Sequence, residues 1–125
     1  MKFLSGLLLC LIACRELGPT GFTGDEGVLV QGRTGVVRIT NERAARVYYF
    51  VAERNDLPVI DWLPCTEDQE ECAHVEEGVT LTLPYAAIAG YDTGDDQAVL
   101  FWWHLVPRLG GGFEVDRLRE IVFPL

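Results

Sequence analysis

Three side chains with ligand or nucleophile chemistry crowd one stretch: Cys65, Cys72 and His74. Thiolate and imidazole suit a soft metal, but structural zinc takes a close cysteine pair and four ligands. Here six residues separate the cysteines, and no fourth ligand is evident. In an oxidising compartment the same pair closes a local disulfide, worth about 2–3 kcal/mol if unstrained. That bond would silence a Cys–His nucleophile. Ser5 is the only serine, and it lies in the apolar N-terminal run; His74 and His104 are the only histidines. No two carboxylates, Asp61 included, can be placed roughly 5–10 Å apart across a cleft, as glycoside hydrolysis requires. The acidic runs at 67–71 and 92–96 offer oxygen ligands, yet neither keeps the spacing of a calcium loop. The inventory predicts no catalytic site and no metal, so the chain is expected not to be an enzyme.

Aromatic residues make the stronger signal. Residues 97–106 read QAVLFWWHLV and residues 46–53 read RVYYFVAE, both dense in β-branched and aromatic side chains. On a strand, Val99, Phe101, Trp103 and Leu105 face one way, and Leu100, Trp102, His104 and Val106 the other. The second segment divides into Val47, Tyr49 and Val51 against Tyr48, Phe50 and Ala52. If the two strands are neighbours, the expected outer face gathers Tyr48, Phe50, Trp102 and His104. An exposed aromatic patch marks a binding surface, here for a glycan or an envelope protein. The competing arrangement lays the tether, the 55–64 segment or the C-terminal segment over that face.

These residues need elements to hold them. Residues 15–27, RELGPTGFTGDEG, are Gly-rich with few apolar side chains and predict a flexible tether. From Val28 onward, short apolar runs alternate with turn signals. Strands are expected at 28–30, 36–39, 46–53, 59–63, 78–83 and 97–106, with one helical turn near 86–91. The last segment, 113–123, fits two patterns. Val115, Leu118, Ile121 and Val122 keep a helical period, while its two ends fit strands with a bulge between them. The glycines at 110–112, after a strong strand, favour a hairpin partner. About seven strands without a long amphipathic helix predict an all-β antiparallel sandwich. The layout resembles immunoglobulin-like domains, without their Cys…Trp…Cys framework.

The chain opens MKFLSGLLLCLIAC. A positive end precedes about eleven apolar or small residues, too few for the roughly twenty of a spanning helix and suited to a signal-peptide core. Leu11-Ile12-Ala13-Cys14 resembles the lipobox of bacterial lipoproteins. The resemblance implies cleavage before Cys14, a diacylglycerol thioether on its sulfur and an acylated new N-terminus. Acyl chains contribute about 0.8 kcal/mol per buried methylene, so several anchor stably. It further implies a cell-envelope location, at the outer membrane if the cell is Gram-negative, because Arg15 rather than Asp follows the cysteine. The covalent lipid is the only prosthetic group expected. The alternative is a soluble exported domain with a structural or protective role.

The expected layout is a leader at 1–13, a lipid-anchored tether at 14–27 and one β-sandwich domain at 28–125. Export also favours the Cys65–Cys72 disulfide. Beyond the leader, nine arginines face 19 acidic residues. Such a surface repels nucleic acid, which is excluded as a partner. The expected partners are the membrane, through the anchor, and an envelope protein or glycan.

Overall fold

The computed structural model describes residues 21–67 and 71–125. The leader at 1–13, the lipidation site Cys14 and the tether as far as residue 20 lie outside the described residues. Among the described residues there are ten strands: β1 (Thr23–Asp25), β2 (Val28–Arg33), β3 (Val36–Asn41), β4 (Val47–Glu53), β5 (His74–Val75), β6 (Thr80–Pro84), β7 (Gln97–Trp103), β8 (Leu105–Pro107), β9 (Phe113–Val115) and β10 (Arg119–Pro124). They form two four-stranded antiparallel sheets, ordered β1-β2-β3-β6 and β10-β7-β4-β5, and a two-stranded ribbon of β8 and β9. The protein is an all-β antiparallel sandwich. Its helical content among the described residues is two single 3-10 turns, Leu57–Val59 and Tyr85–Ala87.

Alternation along each strand builds the space between the sheets. Val28, Val30, Val37 and Ile39 come from one sheet; Val47, Val51, Leu100, Trp102, Ile121 and Phe123 come from the other. Each such side chain fully removed from water contributes roughly 1.5–3 kcal/mol. A second apolar cluster lies on the outer face of β4 and β7, made of Tyr48, Val99, Phe101 and Trp103. The excursion between β4 and β5 covers it. Trp62 stacks on Phe50 at 4.4 Å and lies 4.7 Å from Phe101, ring centroid to centroid. Trp103 Nε1 donates to the Cys65 carbonyl at 3.1 Å. The Cys65–Cys72 disulfide, with Cα atoms 5.8 Å apart, closes the excursion, and Cys72 is itself buried. β7 is therefore covered on both faces, which is why its sequence is a continuous apolar run.

Three sequence expectations change. Residues 59–63 are cover rather than strand: Pro58 and Pro64 lack the N–H a ladder needs, and Val59 and Leu63 point to solvent. The tether does not reach residue 27, because β1 pairs Thr23 with Val30 and Asp25 with Val28. Glu26 and Gly27 (φ 55° and 86°) make a two-residue turn with both residues left-handed, the geometry a tight hairpin requires. The strand count exceeds seven, because β1 and β5 are too short to show a pattern and one long hairpin is interrupted. That hairpin is the strand–bulge–strand form expected for 113–123. β10 pairs with β7 at Arg119 and Trp102, and β9 with β8 at Val115 and Leu105. Between those pairs, Trp103 and His104 face Asp116, Arg117 and Leu118, so one strand carries an extra residue.

Candidate functional site: an arginine-lined cleft at the strand ends

The bulge positions the site. His104 N donates to Asp116 Oδ1 at 2.9 Å, and Asp116 N donates to the His104 carbonyl at 3.1 Å. The ribbon lies beyond them, and a cleft of about 460 Å³ opens between it and the loop joining β3 to β4. Arg43, Arg46, Tyr48, His104 and Asp116 form its polar wall; Ala45, Leu105, Val106 and Phe113 form the apolar one.

A buried asparagine holds the loop. Asn41 Nδ2 donates to the carbonyls of Ala45 (2.9 Å) and Val75 (3.0 Å), while its Oδ1 accepts from Arg43 N at 2.9 Å. The Asn41 side chain has no exposed surface; its bond to Val75 is buried, and those to Ala45 and Arg43 are partly so. Arg43 and Arg46 are thus fixed at the rim of the cleft.

His104 then orders both arginines. Its Nδ1 lies 2.8 Å from the Arg46 carbonyl, and its Nε2 lies 2.7 Å from Arg43 Nε. A carbonyl only accepts and a guanidinium only donates, so Nδ1 carries the hydrogen and Nε2 is the acceptor. Arg46 grips Glu76 with two bonds, at 2.7 and 2.8 Å. That pairing lowers the Glu76 pKa and, with a further bond donated to Tyr48, raises that of Arg46 from an already high value. Behind the wall, Arg119 lies over the Trp102 ring at 4.3 Å and Arg43 at 5.3 Å. Arg119 also pairs with Asp116 at 3.3 Å, and Arg117 with Glu26. Burial pushes the Asp116 carboxyl up. Hydrogen bonds from the His104 and Arg117 backbone N–H groups and from Arg119 outweigh it, so the net shift is downward.

The four residues expected to share an outer face do not share one. Tyr48 lies opposite Trp103, and Tyr49 opposite Trp102. Residues directly opposite each other share a face, so Trp102 goes with Tyr49 into the space between the sheets. Tyr48 and Phe50 go to the outer face, where Trp62 and the disulfide excursion cover them. The competing arrangement, with the 55–64 segment as cover, is the one present. Tyr48 and His104 still meet, because the cleft lies at the strand ends and takes side chains from both faces. Arg43, Arg46, Asp116 and Phe113 are site residues that no sequence signal singled out.

The Cys65 and Cys72 sulfurs are bonded to each other, and His74 Nδ1 sits 2.7 Å from the Cys72 carbonyl. In the acidic turn at 92–96, Asp95 Oδ2 accepts from Asp92 N at 2.6 Å. Among the described residues no three His, Cys, Asp or Glu side chains gather as metal ligands. Comparison with protein-family models, curated proteins and solved structures finds no match.

Proposed function

We propose that the chain is a lipid-anchored binding module of the bacterial cell envelope, an immunoglobulin-like sandwich held by Cys14 that presents the arginine-lined cleft to its surroundings. The polarity of β1 supports this reading. The strand runs from Thr23, opposite Val30, to Asp25, opposite Val28. Val28 in turn pairs with Asn41, at the base of the cleft loop. β1 therefore begins at its end further from the cleft and runs toward it. The eight residues 15–22 reach at most about 30 Å, which lets the sandwich stand off the headgroups. In a Gram-negative cell, Arg15 after the lipid cysteine suits the outer membrane. Binding is favoured over catalysis because both His104 ring nitrogens are used in holding arginines and both cysteines of the domain are bonded.

Intact mass of the protein extracted from its host's membrane fraction tests the anchor. The expected species begins at Cys14 and carries acyl mass, and Cys14→Ala abolishes both. A soluble, unlipidated chain cut elsewhere would sink the anchored reading and leave a soluble exported domain.

A further inference from the structure

We infer that the cleft seats a small monocarboxylate with an apolar body, and that Arg43 takes its charge. This rests on the cleft being the binding site and is independent of the lipid anchor. Four of the chain's nine arginines converge at this end of a molecule whose net charge is −9. Three already have carboxylate partners: Arg46 pairs with Glu76, Arg117 with Glu26, and Arg119 with Glu26 and Asp116. Arg43 has no carboxylate within ion-pair distance among the described residues. Its Nε donates to His104 Nε2 and its Nη1 to the Glu26 carbonyl, both uncharged acceptors. Its plane rests on Trp102, and its Nη2 makes no hydrogen bond among the described residues. A half-buried guanidinium held in place by neutral acceptors carries a desolvation cost that a carboxylate offsets, and its rigidity lowers the ordering cost of binding.

The rest of the cleft limits the ligand. Asp116, the carboxylate in its wall, is neutralised by Arg119 and accepts the His104 N–H. One unpaired positive charge matches one negative charge, and the acidic surface around it disfavours a multiply charged anion. Leu105, Val106 and Phe113 offer an apolar wall that a bare inorganic anion leaves uncovered. The volume, about 460 Å³, lies within the range of small-molecule sites.

The test is a titration of the full chain as purified from its host in mild detergent, lipidated or not, with 3-phenylpropionate and, separately, with its neutral isostere 3-phenylpropionamide, followed by NMR. Saturable shifts are expected at the Arg43 Nε–H and at the Ala45, Leu105 and Val106 amides. The acid should bind at least tenfold more tightly than the amide, and the advantage should shrink as salt rises. Arg43→Gln should remove the advantage. Val106→Asp, a change at a partly exposed ribbon position away from the Trp102 stack, should weaken the acid tenfold and the amide little. Equal affinity for acid and amide would leave the cleft a binding site and overturn its preference for a carboxylate. Wild-type binding by both variants would place the acid elsewhere and overturn the assignment. No shift with either probe would overturn the cleft reading itself.

Discussion

At the scale of single residues, Asn41 and Asp116 do most to shape the cleft. Asn41 satisfies two carbonyls and one N–H, the Val75 carbonyl among them fully buried. Asn41→Ala leaves those groups unpaired, which costs about 1–3 kcal/mol per stranded group, softened by whatever water enters. The expected outcome is a fall of at least 2 kcal/mol in urea-unfolding free energy, with loss of the Arg43 Nε–H resonance position. A change below about 0.5 kcal/mol would show that the loop holds itself. Asp116 acts through charge. Its folded pKa is lowered from 3.8, so the stability it contributes is present above that value and disappears as pH falls through the folded value. Asp116→Asn should therefore cost about 0.5–1 kcal/mol at pH 7, a figure discounted for solvent screening. The cost should shrink as pH falls below the ordinary carboxylate range and the folded-state carboxyl takes up its proton. Melting curves of both proteins across that range check it, and a pH-independent difference would contradict the electrostatic account.

At the scale of elements, the excursion between β4 and β5 is the unusual part. Turn-forming prolines and a disulfide hold it, with no ladder of its own among the described residues, yet it covers the outer face of β4 and β7. Cys65→Ser with Cys72→Ser should cost about 2–3 kcal/mol, the loop entropy such a bond removes from the unfolded chain. The same change should shift tryptophan emission to the red, as Trp62 and Trp103 meet water. Unaltered emission would mean that stacking on Phe50 and Phe101 holds the cover without the bond. The interrupted hairpin is the second such element. The extra residue between Val115 and Arg119 separates the ribbon from the main sheet, and Leu105, Val106 and Phe113 of the ribbon line the cleft.

At the scale of the whole molecule, β4 and β7 belong to both apolar clusters at once. With the disulfide closing the cover over strands that both clusters share, unfolding of the oxidised protein is expected in one step. Backbone circular dichroism and tryptophan fluorescence should give coincident denaturation curves. Separate midpoints would mean that the cover unfolds on its own. The charge distribution also belongs to this scale. Acidic residues outnumber basic ones almost two to one over the chain, while arginines from the β3–β4 loop and the start of β10 meet at one end. Field focusing of this kind raises the local concentration of a small anion that the remaining surface repels.

The sequence by itself determined where most strands run, that 113–123 returns as a bulged hairpin partner, and that Cys65 and Cys72 lie close enough to bond. Each of these depends on neighbours: alternation, β-branched density, turn residues, a short loop. Only the tertiary structure decided the parity between β4 and β7. A one-residue difference in pairing sends Trp102 inward and Tyr48 outward, and neither strand's own pattern specifies that register, because both are apolar on both faces. The cleft lies further from what sequence can show. His104 lies 58 and 61 residues beyond Arg46 and Arg43, and Asp116 12 further on; of the four, only His104 sits within a stretch that stands out, with Arg46 at the edge of another. They become a site because two sheets, one buried asparagine and one bulge bring them together.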